Sequence, residues 1–417
     1  MRRVSIGCLL RTLSVGLALG LAGFTSERAG AQETVDIPLQ LFQVPTGESG
    51  SNLSYKLGIL VGLGGGAPQM YEFDTGGKGF WASYANPVDG GVNQWWGTIT
   101  GTQGTITNTY SSGNTYDANV VQTSVQLYTS TSGPAAISVN NMQVAQITQG
   151  ATKTETPEQW NALTASGSAP LYGTFFGDFG ASLATKTGTE TSIWSVLPQL
   201  GGSLGKGFVV SMGGNPYSGP SPNPVLTVGI TDAMRAEYPI VLSMSGSNTV
   251  ISGSDTWTAY GADLLTGTMT LSGSGQTSYV VSTTFVTDTG APSTSIHNSL
   301  PINVPNEFID DLTGELNAGT EFIMNVSGTN GGDPLAMDFF SGTDQPSYTT
   351  VQLDDSGSGS GYVNTGLNLF FRYNVMYDLE NGVVRLQPIA VPEPGVWWLV
   401  AGGLGAGLWR RRRAARG

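Results

Sequence analysis

The sequence predicts an all-β protein with few, short helices, and a repeated tripeptide indicates two similar halves. Gly, Ser, Thr, Val and Tyr dominate the 417-residue chain between residues 35 and 391. Apolar and polar residues alternate over residues 35–41, as in a strand with one buried face. The tripeptide Asp-Thr-Gly begins at Asp74 and again at Asp288, each time after an apolar or β-prone run.

A strong hairpin signal lies near the end of this region. Asn381-Gly382 separates two apolar runs, residues 375–379 and 383–386. A two-residue hairpin turn needs φ > 0 at both positions, and Asn-Gly meets that need readily. We therefore expect two paired strands here.

Helical patterns are few. Residues 193–200 form one short candidate. Residues 306–316 form the other, because Phe308, Leu312 and Leu316 recur at four-residue spacing after Asn306, which can act as an N-cap.

Charge and composition exclude several classes of function. The net charge is −13, and residues 32–392 carry 8 basic and 28 acidic side chains, so this region repels phosphate and nucleic acid is not an expected partner. The single cysteine, Cys8, and the single histidine, His297, exclude an intramolecular disulfide and a multi-histidine zinc site. A Ser-His-Asp triad could form only around His297. The sequence predicts no metal and no cofactor, and carboxylates remain for acid–base chemistry.

The N-terminus has the pattern of a secretory signal peptide. Residues 1–31 combine Arg2 and Arg3, an apolar run over residues 13–24 and the small-residue site Ala29-Gly30-Ala31. The alternative is a retained membrane anchor. The apolar run is shorter than the roughly 20 residues that a spanning helix needs, which favours the signal peptide.

The C-terminus has the pattern of a sorting tail. Val391-Pro392-Glu393-Pro394-Gly395 precedes an apolar stretch over residues 396–409 and then four arginines, Arg410 to Arg413. A short apolar span followed by arginines is expected to stop in the membrane with its basic end in the cytoplasm. Residues 391–417 resemble the PEP-CTERM tail of exopolysaccharide-producing Gram-negative bacteria. This resemblance implies removal by an exosortase-type enzyme and release to the cell surface or beyond; the alternative is a plain membrane anchor.

The repeated acid carries a candidate chemistry. If each Asp-Thr-Gly leaves a strand through a tight turn and the two halves face one another, Asp74 and Asp288 meet at the boundary. Two carboxyl groups in close contact cannot both ionise, so they share one proton and can hold a water molecule between them. The alternative is that both triplets are ordinary Asx turns of a β-rich protein.

Several segments resemble those of the pepsin-like aspartic proteases, in the same order along the chain. They are Phe73-Asp74-Thr75-Gly76, with Trp81 at the family's tryptophan position; Tyr110-Ser111-Ser112-Gly113, similar to the flap hairpin; Gly173-Thr174-Phe175-Phe176-Gly177, similar to the segment that crosses beneath the first Asp loop; residues 288–318, similar to the second Asp loop and its following helix; and residues 366–386, similar to the last crossing segment and hairpin. The resemblance implies two β-barrel-like lobes, residues 32–235 and 236–390, with an active-site cleft between them.

The resemblance also implies an activity and a set of site residues. The chain would be a monomeric aspartic endopeptidase that hydrolyses a polypeptide in the cleft. The expected residues are Asp74 and Asp288 as the catalytic dyad, Thr75 and Thr289 exchanging hydrogen bonds beneath it, Gly76 and Gly290 permitting the tight turns, and Tyr110 as the flap tyrosine, with Tyr116 as the alternative.

Three departures from the family pattern matter. Gly77 and Ala291 stand where the family usually has Ser or Thr, whose hydroxyl donates to a carboxylate. Loss of such donors raises the pKa of the dyad, which predicts activity at milder acidity than that of a gastric pepsin. Asn364-Thr365 precede Gly366 in place of two apolar residues. Only 42 residues separate the predicted cleavage site from Asp74, which predicts an enzyme made without an inhibitory prosegment.

Two other functions remain open at this stage. A pepsin-like fold that has lost catalysis could serve as a surface or matrix-binding protein, for which the acidic chain and the sorting tail are equally suitable. Glycoside hydrolysis also uses two carboxylates, but it needs a separation of about 5 Å or more and no paired-loop symmetry, so it is the least favoured.

Overall fold

Three β-sheets organise the computed structural model of the protein and confirm the predicted all-β, two-lobed fold. The structure describes residues 34–46, 52–85, 95–217, 221–252, 255–261, 265–329, 334–343, 349–354 and 360–389. The predicted signal peptide, residues 1–31, and the predicted tail, residues 391–417, lie outside the described residues. No helix within those ranges combines the length and apolar character of a membrane span.

A central sheet contains strands from both ends of the described chain. Its strands are β1 (Val35–Pro38), β12 (Gly207–Ser211), β13 (Val225–Val228), β14 (Ile240–Ser243), β26 (Tyr373–Asp378) and β27 (Val383–Pro388). They lie in the order β1-β13-β12-β26-β27-β14, so segments from the start, the middle and the end of the described residues share one sheet.

The first lobe is a sheet that closes partly on itself. Its described strands are β2 (Gln40–Thr46), β3 (Asn52–Leu63), β4 (Gln69–Asp74), β5 (Phe80–Ser83), β6 (Ile99–Thr109), β7 (Thr115–Tyr128), β8 (Ala135–Ala151) and β9 (Gly177–Gly180). They lie in the order β2-β3-β4-β9-β5-β8-β7-β6, and β3 also pairs with β7. This extra pairing gives the lobe its barrel-like form.

The second lobe is a sheet of similar size. Its described strands are β17 (Leu265–Ser272), β18 (Tyr279–Val286), β19 (Ser295–His297), β20 (Ile309–Asp310), β21 (Glu315–Leu316), β22 (Glu321–Val326), β23 (Leu335–Phe340), β24 (Gln352–Asp354) and β25 (Tyr362–Asn364). Their order is β20-β21-β24-β19-β25-β18-β17-β22-β23. Alternation sets the buried face, as in β22, where Phe322, Met324 and Val326 are fully buried.

Two small hairpins and a few short helices complete the described structure. They are β10 (Lys186–Thr187) with β11 (Ser192–Ile193), β15 (Asn248–Ser252) with β16 (Asp255–Ala259), α1 (Pro157–Ala165), α2 (Asp232–Ala236), α3 (Gly366–Arg372), and 3-10 turns at Leu197–Gln199, Leu204–Lys206 and Asn306–Phe308. A capping box starts α1, because Thr156 and Gln159 each bind the backbone N–H of the other through their side chains.

The predicted helix over residues 306–316 is wrong. Only a 3-10 turn forms at Asn306–Phe308, and the β20–β21 hairpin follows it. The carboxylate of Asp310 accepts hydrogen bonds from the backbone N–H groups of Leu312 and Thr313, at 2.8 and 3.3 Å, which favours a turn over a helix. Leu312 is 96% exposed, so the four-residue spacing does not form an apolar face.

The predicted helix over residues 193–200 is reduced to the 3-10 turn at Leu197–Gln199, because Ile193 belongs to β11.

The predicted hairpin around Asn381-Gly382 is confirmed, but its turn is longer than expected. Strands β26 and β27 pair up to Asp378 and Val383, which leaves residues 379–382 in the connection. Gly382 has a positive φ of 65°, whereas Asn381 does not. Asn381 instead donates its backbone N–H and its side-chain amide to Asp378.

A buried carboxylate stabilises this end of the central sheet. Asp378 is fully buried, and it accepts hydrogen bonds from Arg235 on α2 and from Arg385 on β27, each at 3.0 Å. Burial acts to raise the pKa of Asp378, but hydrogen bonds from Asn381, Arg235 and Arg385 outweigh it and hold that pKa below its usual value. The carboxylate therefore ties α2 to the hairpin.

We expect Asp378→Asn to lower the free energy of unfolding by about 2 kcal/mol at pH 7, because it weakens several hydrogen bonds to a charged group. The folded-state pKa is below the unfolded-state value, so the stability contributed by Asp378 is present above about pH 4 and is lost as pH falls through the folded-state pKa. Urea unfolding at pH 7 and pH 3 measures both effects. An equal difference between variant and wild type at the two pH values would contradict the assignment.

Candidate active site

The two Asp-Thr-Gly segments leave their lobes in the same way. Strand β4 ends at Asp74, and β18 ends two residues before Asp288. A second strand runs parallel to each: β9 pairs Gly180 with Asp74, and β25 pairs Asn364 with Val286. The two lobes therefore present equivalent loops at equivalent strand ends.

Two threonines interlock the loops. The backbone N–H of Thr75 donates to the hydroxyl of Thr289 at 3.0 Å, and the backbone N–H of Thr289 donates to the hydroxyl of Thr75 at 3.0 Å. Each hydroxyl in turn donates to a carbonyl of the opposite loop, that of Thr287 at 2.8 Å and that of Phe73 at 2.7 Å. Both threonines are buried. This reciprocal set fixes the two loops against each other.

The two carboxyl groups face one another above this interlock. Oδ1 of Asp74 accepts from the backbone N–H of Gly76 at 2.8 Å, and Oδ1 of Asp288 accepts from that of Gly290 at 2.6 Å. A Cβ on Gly76 would lie 2.5 Å from Cγ of Asp288, and a Cβ on Gly290 would meet the carboxyl group of Asp74 as closely. Each glycine thus lies against the opposite aspartate, and a larger residue would push the carboxyl groups apart.

The pKa of Asp74 lies well above its usual value. Burial is the largest cause, followed by the nearby charge of Asp288. A pair of close carboxyl groups of which one holds its proton is the arrangement that general acid–base catalysis requires.

The structure places the predicted tryptophan and the two candidate flap tyrosines in one cluster. Trp81 is fully buried and donates its indole N–H to the carbonyl of Lys78 at 2.9 Å. Tyr116 on β7 packs between Trp81 and Trp160, with ring centroids 5.9 and 5.5 Å away. Tyr110 lies at the tip of the β6–β7 hairpin, and its hydroxyl donates to Asp178. Tyr110 therefore contacts Asp178 beside the first Asp loop, while Tyr116 is a core residue.

The predicted first crossing segment, Gly173 to Gly177, is wrong by three residues. The strand beside β4 is β9, so Asp178-Phe179-Gly180 lies beneath the first Asp loop. The rings of Phe175 and Phe176 instead pack against Phe42 and Trp95. The apolar-apolar-Gly pattern failed here because a buried carboxyl group, Asp178, occupies the first position of the true segment.

Asn364, which replaces an apolar residue of the family pattern, forms a hydrogen bond in the site. Its side-chain amide donates to Oδ2 of Asp288 at 2.5 Å. Ala291 cannot supply a hydroxyl donor to this carboxyl group, and the neighbouring strand supplies an amide donor in its place.

A buried ion pair lies next to the two loops. Nζ of Lys56 on β3 is 2.6 Å from Oε1 of Glu72 on β4, and both residues are buried. Lys56 also donates to the carbonyl of Gly290 in the second Asp loop. Burial lowers the pKa of Lys56, but the charge of Glu72 and its hydrogen bond outweigh burial, so this pKa stands above its usual value. Lys56 thus links both loops.

Lys56, Glu72 and Asp178 were not predicted as site residues from the sequence. Glu72 was open to prediction, because residues i and i+2 of a strand share a face and Asp74 lies two positions on. Lys56 and Asp178 reach the site only through strand pairing, which no local pattern reveals.

Comparison with known proteins supports the fold. The sequence matches no protein-family model and no curated protein. The structure is similar to the crystal structure of the aspartic proteinase from Irpex lacteus, with a TM-score of 0.52 over 87% of this chain and 99% of that chain, at 17% sequence identity. The chain has the pepsin-like fold. At this identity the likeness establishes the fold alone.

Proposed function

We propose that the chain is an exported aspartic endopeptidase, with Asp74 and Asp288 as its catalytic dyad. The observation that carries the proposal is the facing of the two carboxyl groups, each packed against the glycine of the opposite loop. The reciprocal hydrogen bonds of Thr75 and Thr289 support it, because they hold the pair in register.

The mechanism follows from the pair. A water molecule between the carboxyl groups is the nucleophile, and the ionised group takes its proton as the oxygen attacks the peptide carbonyl carbon. The protonated group gives its proton to the carbonyl oxygen, which produces a neutral tetrahedral diol. The C–N bond then breaks, the leaving nitrogen takes a proton from the dyad, and one hydroxyl of the diol returns a proton as the carboxylic acid forms.

The proposal also includes the roles predicted for the other segments of the chain. Residues 1–31 would direct export, residues 32–235 and 236–390 would form the lobes around the cleft, and residues 391–417 would anchor the chain until an exosortase-type enzyme acts. Tyr110 would cover the bound polypeptide, and the enzyme would be a monomer made without an inhibitory prosegment. Its substrate is a polypeptide that lies between the lobes.

A cleavage assay tests the proposal. The purified full-length protein is incubated with a defined peptide mixture from pH 3 to pH 7, with and without pepstatin, and the products are identified by mass spectrometry. Cleavage that pepstatin blocks is the expected result. Intact peptides at every pH, together with retention on a polysaccharide column, would instead favour the matrix-binding function.

We expect the pH optimum of cleavage to lie above about pH 4, the ordinary value for an aspartic acid. The raised pKa of Asp74 means that the dyad keeps its shared proton to higher pH, so the alkaline limb of the profile moves upward. The measurement is kcat/KM against pH with a substrate that has no titratable side chain. A maximum at strongly acidic pH would contradict the expectation.

A further inference from the structure

Asp178 stands in the first lobe where Asn364 stands in the second. Each lies on the strand that runs beside an Asp-bearing strand and two residues before a glycine, which is Gly180 at the end of β9 in one lobe and Gly366 just after β25 in the other. Asn364 donates to Oδ2 of Asp288. Because Asp178 occupies the equivalent position in the first lobe, we expect it to lie near Oδ2 of Asp74.

The geometry at Gly77 brings Asp178 to that oxygen. A Cβ on Gly77 would lie 2.8 Å from Oδ2 of Asp178 and 2.8 Å from Oδ2 of Asp74. The two oxygens are therefore separated by at most twice that distance, which a direct hydrogen bond or one bridging water molecule can span. A serine Cβ at position 77 would collide with both carboxyl groups, so the hydroxyl donor of the family pattern has no room here.

The surroundings of Asp178 favour its neutral form. Asp178 is 3% exposed, its Oδ2 accepts from the hydroxyl of Tyr110, and its Oδ1 has no hydrogen-bond partner among the described residues. An ionised carboxylate would leave charge on this buried, unpartnered oxygen, at a large desolvation cost. The titratable groups that face it are Asp74, Glu72, Lys56, Asp288, Tyr110, Tyr116 and Tyr172.

We propose that Asp178 is a positioning residue that keeps its proton at the working pH and donates it to Oδ2 of Asp74, directly or through one water molecule. It thereby replaces the hydroxyl donor that Gly77 lacks, as Asn364 replaces the donor that Ala291 lacks. This inference rests on the proposed endopeptidase function. Burial and the charge of Glu72 raise the pKa of Asp178 and outweigh Tyr110 and Lys56, which lower it.

Two variants test the donor. Asp178→Leu is expected to lower kcat about 10- to 100-fold, with KM little changed, because a hydrogen bond to a charged group is lost. Asp178→Asn keeps a neutral donor and is expected to lower kcat less than about threefold.

The pH profile of kcat distinguishes a protonated Asp178 from an ionised one. A lost donor raises the pKa of Asp74, so the profile of Asp178→Leu moves to higher pH and that of Asp178→Asn stays in place. If Asp178 were ionised, both substitutions would remove a neighbouring negative charge and move the profile to lower pH. That result, or an equal loss of kcat in both single variants, would overturn the proposal.

A spectroscopic titration separates this inference from the proposed function. Carboxyl-carbon NMR of the full-length protein, with the Asp178 signal assigned by its absence in Asp178→Asn, reports the proton without any cleavage. The signal is expected to remain that of a carboxylic acid well above pH 4, whereas titration near about 4 would overturn the proposal. Wild-type protein that cleaves nothing but shows a protonated Asp178 would contradict the endopeptidase function alone.

Discussion

Asp74→Asn and Asp288→Asn are each expected to reduce kcat/KM for peptide hydrolysis by at least about 10⁴-fold. An amide cannot take a proton from the attacking water or return one to the leaving nitrogen. The double variant is expected to lose no more than either single variant, because the two groups act as one unit. Initial rates on a fluorogenic peptide, measured at the pH optimum, give the comparison.

The stability of these variants separates chemistry from folding. Asparagine has the shape of aspartate and can still accept the hydrogen bond from Gly76 or Gly290. Replacing either carboxyl group removes the unfavourable interaction between the buried Asp74 and the partly exposed Asp288, so the free energy of unfolding is expected to stay equal or to rise. Asp311→Asn, in the exposed turn between β20 and β21, is the matched control and is expected to keep full activity. A dyad variant that keeps more than about 0.01% of wild-type activity would show that other groups carry the reaction.

The parts of the fold that could be predicted depend on short-range patterns. The Asp-Thr-Gly triplets are recognisable because a strand end, a carboxyl group and a glycine suffice to define each loop. The hairpin at Asn381-Gly382 was predictable for the same reason, although the side chain of Asp378 lengthens its turn. The helix at residues 306–316 failed because Asp310 competes locally for the backbone N–H groups.

The parts that could not be predicted depend on pairing between distant strands. Phe175-Phe176-Gly177 satisfied the pattern for the crossing segment, yet the triplet that pairs with β4, Asp178-Phe179-Gly180, lies three residues further on. Nothing near Asp178 in the sequence indicates a buried acid, because its surroundings come from β4 and from the β6–β7 hairpin. In the sequence, Asn364 is a polar residue in place of an apolar one, which indicates only weaker packing. Its role as a hydrogen-bond donor to Asp288 depends on the pairing of β25 with β18.

Lys56→Met is expected to lower the free energy of unfolding by about 3–5 kcal/mol at pH 7, because it leaves the buried carboxylate of Glu72 without its partner. The pair is diagonal across β3 and β4, where Gly58 lies opposite Glu72. Methionine has a similar length and an apolar chain, so packing changes little. The experiment is urea unfolding followed by tryptophan fluorescence, with wild type and variant compared at each pH.

The pH dependence and a double variant identify the cause of that loss. Burial raises the pKa of Glu72, and removing Lys56 takes away the charge that opposes this rise. An acid whose folded-state pKa is raised destabilises the fold above its unfolded-state value of about 4.3, so the difference from wild type is expected to shrink at pH 4 and to be complete at pH 7. Lys56→Met combined with Glu72→Leu is expected to recover most of the stability, since apolar replacement of a buried ion pair is often neutral. Equal losses of unfolding free energy at pH 4 and pH 7, with no recovery in the double variant, would contradict this explanation. They would assign the loss to the contact between Lys56 and the Gly290 carbonyl instead of to the unpaired charge of Glu72.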